Sequence, residues 1–328
     1  MEDNVLLKVE NLKKKFVITN NFGKKKYVRA VDGVSFGIAK GETLGLVGES
    51  GCGKSTLGRT LLRLLEPEYG RIFFAGEDIT QVNMRPYRQK MQIVFQDPAG
   101  SLDPRTRICD SIAEGMLINR IGATKRERLE RVLQLLEKVG LNVEHVYRYP
   151  HEFSGGQLQR IGIARALAVS PEFIVCDEVV SALDVSCQSQ IINLLEDMQE
   201  ELNLTYLFIS HDVSVVRHIS DHIGVMYLGK LVELGTSQEI GLHAVHPYTK
   251  TLLASIPIPD PVLSRTRERM PVSGELSNPP LAGCRFCTRC DSAKPICFKV
   301  EPEMKEIAPG HYCACLLFCS DEYLKGIN

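Results

Sequence analysis

The chain of 328 residues contains no tryptophan, no long apolar run and no excess of charge of either sign. Because no stretch approaches the ~18 apolar residues of a membrane helix, we expect any contact with a membrane to pass through a partner. A net charge of −1 at pH 7 gives no global field that would attract nucleic acid, so we expect no nucleic-acid partner. The acidic start, Met1 to Asn4, lacks the apolar core of a secretory signal.

Strand-like and helix-like segments alternate along most of the chain. This alternation predicts a parallel sheet covered by helices on both faces, an α/β fold. Residues 97–165 read as mostly helical, and we predict an inserted helical subdomain there. Within it, Thr124 and Glu127 are placed to form a capping box, and Gly140 to end the same helix. The predicted strands are 5–10, 43–47, 91–95, 173–177, 206–210 and 223–227.

The texture changes at two places. Lys13–Lys15 and Lys24–Lys26 predict a solvated loop after the first strand, with contact to anionic lipid headgroups as the alternative. After about residue 255, proline-rich segments and clustered cysteines predict an extended linker followed by a small cysteine-rich module. We therefore divide the chain into a main domain over 1–255 and a C-terminal extension over 256–328.

A glycine-rich turn between the strand 43–47 and an amphipathic run fits the pattern G-x-x-x-x-G-K-[ST]. Glycines let backbone N–H groups turn inward around phosphate oxygens, and the helix that follows adds its positive end. We expect the lysine to reach the β- and γ-phosphates and the serine after it to bind Mg²⁺. The residues of this phosphate loop are Gly48, Glu49, Ser50, Gly51, Cys52, Gly53, Lys54, Ser55 and Thr56.

An apolar strand ends in two acids, Asp177 and Glu178. In a phosphate-binding protein, the first carboxylate is suited to hold the Mg²⁺ shell. The second is placed to polarise the attacking water. Strands often end in acids, so the pattern gains its force from the phosphate loop beside it.

Four further segments resemble one family, the ABC ATPases. Ser154, Gly155, Gly156 and Gln157 are similar to its signature motif, and Val94–Asp97 to its Q-loop with Gln96. Ser181–Asp184 is similar to its D-loop, which ends at Asp184, and Ser210–Asp212 to its switch loop with His211. The motifs occur in the family's order and cover roughly residues 5–255.

The segments GESGCGKSTLGR, VFQDPAGSLDPR, FSGGQLQRIGIARAL and HPYTKTLLASIP resemble the oligopeptide, dipeptide and nickel importer ATPases in particular. The resemblance reaches the tail, through GELSNPPLAGCRF and GHYCACLL. Val179 and Cys187 depart from the subfamily's usual residues, although neither removes a catalytic group, so we expect an active site.

The resemblance implies a P-loop NTPase (RecA-like) core with N-terminal antiparallel strands. It implies an ATPase that drives solute import and works as a dimer with a second, identical or homologous ATPase subunit. Each ATP would be bound between the phosphate loop of one subunit and the signature motif of the other. The ATPase would lie at the cytoplasmic face of the membrane, bound to two membrane permeases. An extracellular solute-binding protein would be an indirect partner. Gln96 would also contact Mg²⁺, and His211 the γ-phosphate. The alternatives are import of nickel or another solute, and a non-transport ABC ATPase.

Two features stay open at this stage. Phe16 aligns best with the aromatic residue that stacks on adenine, with Tyr27 as a rival and ordinary packing as the alternative for each. Seven of the eleven cysteines lie between Cys284 and Cys319, where free thiols, zinc and an iron–sulfur cluster all fit the spacing. The resemblance favours a [4Fe–4S] cluster, with Cys287 as a spare ligand, held by Cys284, Cys290, Cys297 and Cys315.

Overall fold

The computed structural model describes residues 4–19, 25–256 and 282–318. Its first element is a hairpin in which strand β1 (Val5–Thr19) pairs antiparallel with β2 (Lys25–Ala39). The prediction of a loop over the lysines is therefore wrong for 13–15 and 25–26, while Lys24 lies outside the described residues. Lys13–Lys15 lie in a paired strand, where each ammonium group lies over an aromatic ring; for example, Lys13 Nζ lies 5.6 Å from the Tyr69 ring centroid.

Two further strands, β4 (Tyr69–Phe74) and β5 (Glu77–Asp78), continue this antiparallel sheet. The strand order is β2-β1-β4-β5, which confirms the expected N-terminal antiparallel strands. Leu7 and Leu12 of β1 are fully buried and share a core with Leu57 and Leu61. The helix that follows the phosphate loop thus packs under this sheet.

The central sheet consists of β3 (Thr43–Val47), β6 (Met91–Val94), β7 (Phe173–Asp177), β8 (Thr205–Ile209), β9 (His222–Tyr227) and β10 (Lys230–Thr236), with two C-terminal strands described below. The order β6-β7-β8-β3-β9 runs parallel throughout, as predicted. β3, β7 and β8 are buried along their whole length, as continuous apolar runs require in a sheet covered on both faces.

The helices are α1 (Lys54–Leu61), α2 (Ile108–Ile118), α3 (Lys125–Lys138), α4 (Gly155–Leu167), α5 (Val185–Leu202), α6 (Val213–Ile219), α7 (Ser237–His243) and α8 (Pro247–Ala254). Helices α2 to α4 lie between β6 and β7, in the segment predicted to be helical. Each covers part of one apolar core through residues such as Ile112, Val132 and Ile161.

The predicted ends of α3 are close to the observed ones. Thr124 Oγ1 accepts the Glu127 N–H, but the Glu127 carboxylate accepts the N–H of Ala123 and not that of Thr124, so the capping box is displaced by one residue. Gly140 has a φ of 71°, and Leu141 N–H donates to Leu136 O. This is the glycine-terminated helix end that was expected.

The C-terminal residues 282–318 add β11 (Lys305–Ala308) and β12 (His311–Cys313) to the central sheet, which the sequence did not predict. β12 pairs antiparallel with β10. Glu233 of β10 is fully buried, and its carboxylate accepts the N–H groups of Val245 and His246 and lies 2.9 Å from His311 Nε2. The predicted linker lies in 257–281, outside the described residues. Among the described helices, none is long and apolar enough to cross a membrane.

We predict that Glu233→Gln destabilises the protein by about 2 kcal/mol. The NH₂ group of glutamine would face a backbone N–H, so that two donors would meet where a carboxylate oxygen now accepts a hydrogen bond. Urea denaturation would measure this loss of unfolding free energy. Glu200→Gln, the same change at an exposed position of α5, is the control and should shift it by less than about 0.5 kcal/mol. Equal effects of the two changes would contradict the role of Glu233.

Candidate active site: a phosphate loop beside two carboxylates

The predicted phosphate-loop, Mg²⁺ and catalytic residues lie at or just after the ends of β3, β6, β7 and β8. Because these strands are parallel neighbours, their carboxyl ends meet at one edge of the sheet, where ligands of such sheets bind. The phosphate loop connects β3 to α1. The loops after β6, β7 and β8 carry Gln96, Glu178 and His211, so the fold brings together groups far apart in sequence.

Backbone crowding explains the glycines of the phosphate loop. Gly53 has a φ of 108°, and a Cβ there would collide with the Ala30 carbonyl oxygen. Gly48 has a φ of 152° and faces the Met226 carbonyl oxygen in the same way. The neighbouring strands β2 and β9 therefore leave room only for glycine at these two positions.

Lys54 is 4% exposed, and its ammonium group is held inside the loop. Its Nζ donates to the carbonyl oxygens of Gly48, at 2.7 Å, and Glu49, at 3.1 Å. Helix α1 begins at Lys54 with no side-chain cap on Gly53. The first N–H groups of α1 thus remain available to an anion, next to a fixed positive charge.

Ser55 and Asp177 lie in contact, as the sequence predicted for two ligands of one Mg²⁺. Ser55 Oγ donates to Asp177 Oδ1 at 2.6 Å, and Asp177 is fully buried. Arg59 Nη2 lies 3.3 Å from Asp177 Oδ2. A hydroxyl and a buried carboxylate facing the loop fit the oxygen ligands that Mg²⁺ takes. Sequence reasoning missed Arg59, although its position one helical turn after Ser55 places it on the same face of α1.

Two predicted side chains, those of Gln96 and His211, meet the carboxylate of Glu178. Its Oε2 accepts from Gln96 Nε2 at 2.9 Å and lies 3.7 Å from His211 Nδ1. Glu178 adopts a φ of 51°, a conformation that costs a non-glycine residue energy and is common at functional sites. The strain is offset locally, because the Glu178 N–H donates to Ile209 O at 2.9 Å.

The signature-like residues occupy the start of α4. Ser154 caps α4: its Oγ accepts the Gln157 N–H at 3.4 Å, and its own N–H donates to Gln157 Oε1 at 3.0 Å. A Cβ at Gly155 would meet no atom within 4 Å, whereas one at Gly156 would lie 3.5 Å from Cys187 Sγ. The start of α4 therefore has open space on one side.

Asp184 caps the neighbouring helix α5. Its Oδ1 accepts from the Cys187 N–H at 2.9 Å and from the Ser186 hydroxyl. These hydrogen bonds, with the Ser186 hydroxyl as the largest contribution, lower the pKa of Asp184 from its ordinary value. The unusual residue Cys187 thus lies between the D-loop and the signature motif.

The aromatic candidates lie on the N-terminal hairpin. Phe16 pairs with Val28, two residues from Ala30, whose carbonyl oxygen lies against Gly53. Tyr27 pairs with Val17 and is the more exposed of the two, at 57% against 38% for Phe16. Along β2, Val28, which pairs with Phe16, lies two residues before Ala30, and Tyr27 lies three residues before it.

Two residues that sequence reasoning did not assign to the site contact Glu49 of the phosphate loop. Tyr248 Oη accepts the Glu49 N–H at 2.9 Å. Arg289 donates to both Glu49 carboxylate oxygens at 3.0 Å. Tyr248 lies in the quoted segment HPYTK, but nothing in the sequence links Arg289 to residue 49, since 240 positions separate them.

Five cysteines of the tail line one small cavity, which we name the thiol cavity and which His246 also lines. Burial raises the pKa of Cys284 to about 12, with neighbouring thiols as further causes. No three His, Cys, Asp or Glu side chains in ranges 4–19, 25–256 and 282–318 are arranged to hold a metal ion. Cys313 lies in β12, and Cys319 lies outside the described residues. The thiol cavity is lined by Cys284, Cys287, Cys290, Cys297 and Cys315.

Comparison with solved structures agrees with this fold. A cassette named cbiO1 from Clostridium perfringens, part of an ABC transporter complex, is 30% identical, with a TM-score of 0.62 over 72% of this chain and 90% of its own. The dimeric ATP-binding cassette MJ0796, in a post-hydrolysis state bound to ADP and Pi, is 27% identical. Its TM-score is 0.64, over 71% of this chain and 99% of its own.

Comparison of sequences is more specific. Residues 31–181 match the ABC transporter family, and residues 232–297 match the family described as oligopeptide/dipeptide transporter, C-terminal region. The oligopeptide transport ATP-binding proteins AppF and OppF of Bacillus subtilis are 54% and 50% identical. They align with 95% and 94% of this chain and with 97% and 96% of their own lengths. A putative peptide import ATP-binding protein of Brucella ovis is 49% identical, over 96% of this chain and 99% of its own. This chain belongs to the ABC transporter family, as an ATP-hydrolysing subunit in the oligopeptide/dipeptide branch.

Proposed function

We propose that this chain hydrolyses MgATP at the cytoplasmic face of a membrane and thereby energises the import of oligopeptides or dipeptides. The contact between Ser55 and Asp177 at the mouth of the phosphate loop carries the proposal, because it places two Mg²⁺ ligands beside a phosphate site. The names of the relatives favour peptides over nickel or another solute.

At the site, Lys54 and the N–H groups at the start of α1 bind the β- and γ-phosphates. Ser55, Asp177 and Gln96 would hold Mg²⁺, which would neutralise charge on the phosphates. Arg59 orients the buried Asp177 through their contact at 3.3 Å. Gln96 also donates to Glu178 at 2.9 Å, so its amide links the Mg²⁺ ligands to the second carboxylate.

Glu178 acts on the attacking water. Its carboxylate polarises the water that attacks the γ-phosphate, and its strained backbone fixes where the side chain begins. His211, 3.7 Å from the same carboxylate, contacts the γ-phosphate. The three side chains thus form one unit around the bond that breaks.

The second half of the site comes from another ATPase subunit, identical or homologous. Ser154, Gly155 and Gly156 open α4, and the N–H groups at a helix start bind anions. The open space at Gly155 leaves room for a phosphate of the partner's nucleotide. Asp184 lies near the start of α4, because it accepts the N–H of Cys187, whose Sγ lies beside Gly156.

Two permease subunits complete the membrane assembly, and an extracellular solute-binding protein supplies the solute. The helical segment 97–165 would contact the permeases. Leu117 and Ile118 at the end of α2 support this, because they are 61% and 63% exposed and would gain from a partner surface. In this proposal the ATPase domain ends near residue 255, and 256–328 form the extension.

Adenine would stack on Phe16 or Tyr27. Phe16 is favoured by its pairing two residues from the Ala30 carbonyl that touches Gly53. Lys14 Nζ lies 5.6 Å from the Phe16 ring and Lys15 Nζ 5.5 Å from the Tyr27 ring, so either ring offers a stacking surface with a cation beside it.

We further propose a [4Fe–4S] cluster in the thiol cavity, with zinc as the alternative. The shared cavity of Cys284, Cys290, Cys297 and Cys315 supports it, since both groups bind through four thiolates. Burial keeps the Cys284 thiol protonated without metal, so loading would release protons.

We expect Lys54→Ala to weaken MgATP binding by about tenfold to a hundredfold, the value of a charged hydrogen-bonding partner. Isothermal titration calorimetry of the isolated chain would measure it. Hydrolysis should fall in parallel, because the lysine meets the phosphates in both ground and transition states. Unchanged affinity would remove the phosphate loop from the proposal.

Glu178→Gln is expected to leave MgATP affinity within a few-fold and to lower turnover by a factor of about 100 or more. The amide preserves shape but does not polarise water as a carboxylate does. Steady-state phosphate release would measure turnover. Affinity purification of this variant from detergent-solubilised membranes with MgATP should retain two multispanning permeases. Wild-type turnover would contradict the role of Glu178, and absence of any multispanning partner would contradict transport.

We expect protein purified without oxygen to be brown, with broad absorption near ~400 nm and about four irons per chain. Cys290→Ser should lose this colour, whereas Cys109→Ser in α2, away from the tail, should keep it. Metal analysis would distinguish the alternatives. About one zinc per chain in a colourless preparation would decide for zinc, and no metal would decide for free thiols.

A further inference from the structure

The segment from Cys284 to Cys290 has two faces. Its three cysteines line the thiol cavity, while its other large side chains contact the ATPase domain around the phosphate loop. These contacts come from Arg285, Phe286 and Arg289. A single short segment thus touches both the thiol cavity and the candidate nucleotide site.

The strongest of these contacts joins Arg289 to Glu49. Nη1 and Nη2 of Arg289 each lie 3.0 Å from one carboxylate oxygen, a bidentate arrangement. The Arg289 side chain is 8% exposed and the Glu49 side chain 29%. The guanidinium also lies 5.8 Å from the Tyr227 ring centroid, which holds it in place from the side. An ion pair with two hydrogen bonds and a buried guanidinium restricts the positions of both side chains.

The same segment also supports the backbone of Glu49. Tyr248 Oη accepts the Glu49 N–H at 2.9 Å, and the Phe286 ring lies 5.4 Å from the Tyr248 ring. On the other side of the loop, Arg285 donates to Leu228 O, and the Gly229 N–H donates to Cys52 O at 2.7 Å. Both ends of the turn 49–52 are therefore in contact with the segment or with its direct neighbours.

We propose that Arg289 is a positioning residue for nucleotide binding, and that it couples the cysteine segment to the phosphate loop. The inference rests on the proposed function, in which this loop binds the polyphosphate of MgATP. An unpaired Glu49 carboxylate would repel an anion of the same sign, and Arg289 cancels that charge while it fixes the loop. The hydrogen bonds to Glu49 also raise the pKa of Arg289.

The test measures MgADP affinity of the full-length chain by calorimetry. Arg289→Ala should weaken binding about tenfold, the scale of one charged hydrogen-bonded pair. Arg289→Lys should recover part of the loss, because it restores the charge without the bidentate geometry. The double variant Arg289→Ala/Glu49→Gln should recover most of it, because the repelling carboxylate is gone. Arg126→Ala, which removes an exposed ion pair with Glu130 on α3, is the control and should bind normally.

A purely structural role would give a different pattern. In that case Arg289→Ala and the double variant would lose affinity equally and share a lowered melting temperature, which would overturn the inference. Binding equal to wild type in Arg289→Ala would overturn it too. If the wild-type chain itself fails to bind MgADP, the proposed function fails first.

Hydrogen exchange provides a second readout that does not depend on turnover. Coupling between two sites is reciprocal, so MgADP should slow amide exchange in residues 284–298 of the wild-type chain. The slowing should be absent in Arg289→Ala at saturating MgADP. No slowing in the wild type would contradict the coupling, even if affinity depends on Arg289.

Discussion

The arrangement around the phosphate loop depends on one constraint: the first backbone N–H groups of α1 must stay without partners inside the chain. At the start of α1 the donors have no side-chain cap, and such donors are stable only where water or an anion can reach them. The loop that presents them is squeezed between β2 and β9, so Gly48 and Gly53 have no room for a side chain. Lys54 is drawn inward onto two carbonyl oxygens of the same loop. The need to bind a polyanion therefore shapes both the turn and its neighbours.

The parallel sheet supplies the rest of the chemistry. β7 ends with Asp177 buried against Ser55, and the next residue, Glu178, leaves the strand in a left-handed conformation. This reversal directs consecutive carboxylates to different partners, Asp177 toward Ser55 and Glu178 toward Gln96. Two adjacent acids can thus serve two functions without competing for the same position.

How far the sequence reached depended on the range of the interactions involved. The strands β3, β7 and β8 and the end of α3 at Gly140 follow from local apolar runs and turn chemistry, so they could be predicted. The strand character of Lys13–Lys15 could not, because it depends on pairing with β2 and β4 and on rings such as Tyr69. The same limit applies to the site. Motifs predicted Gln96, Glu178 and His211, which lie close together in the fold. Arg289, by contrast, meets Glu49 only after the chain has folded back over 240 positions.

The placement of the C-terminal residues changes what the tail can do. A unit connected only by a linker could change its structure without effect on the ATPase. Here β12 pairs with β10, Glu233 is buried beside His311, and Arg289 reaches the phosphate loop. The thiol cavity and the phosphate loop both contact the segment 284–290. We therefore infer that interactions which order this segment contribute to the order of both. In such an arrangement, a change that loosens the cysteines also loosens Glu49, and occupation of the loop stabilises the cysteines in return.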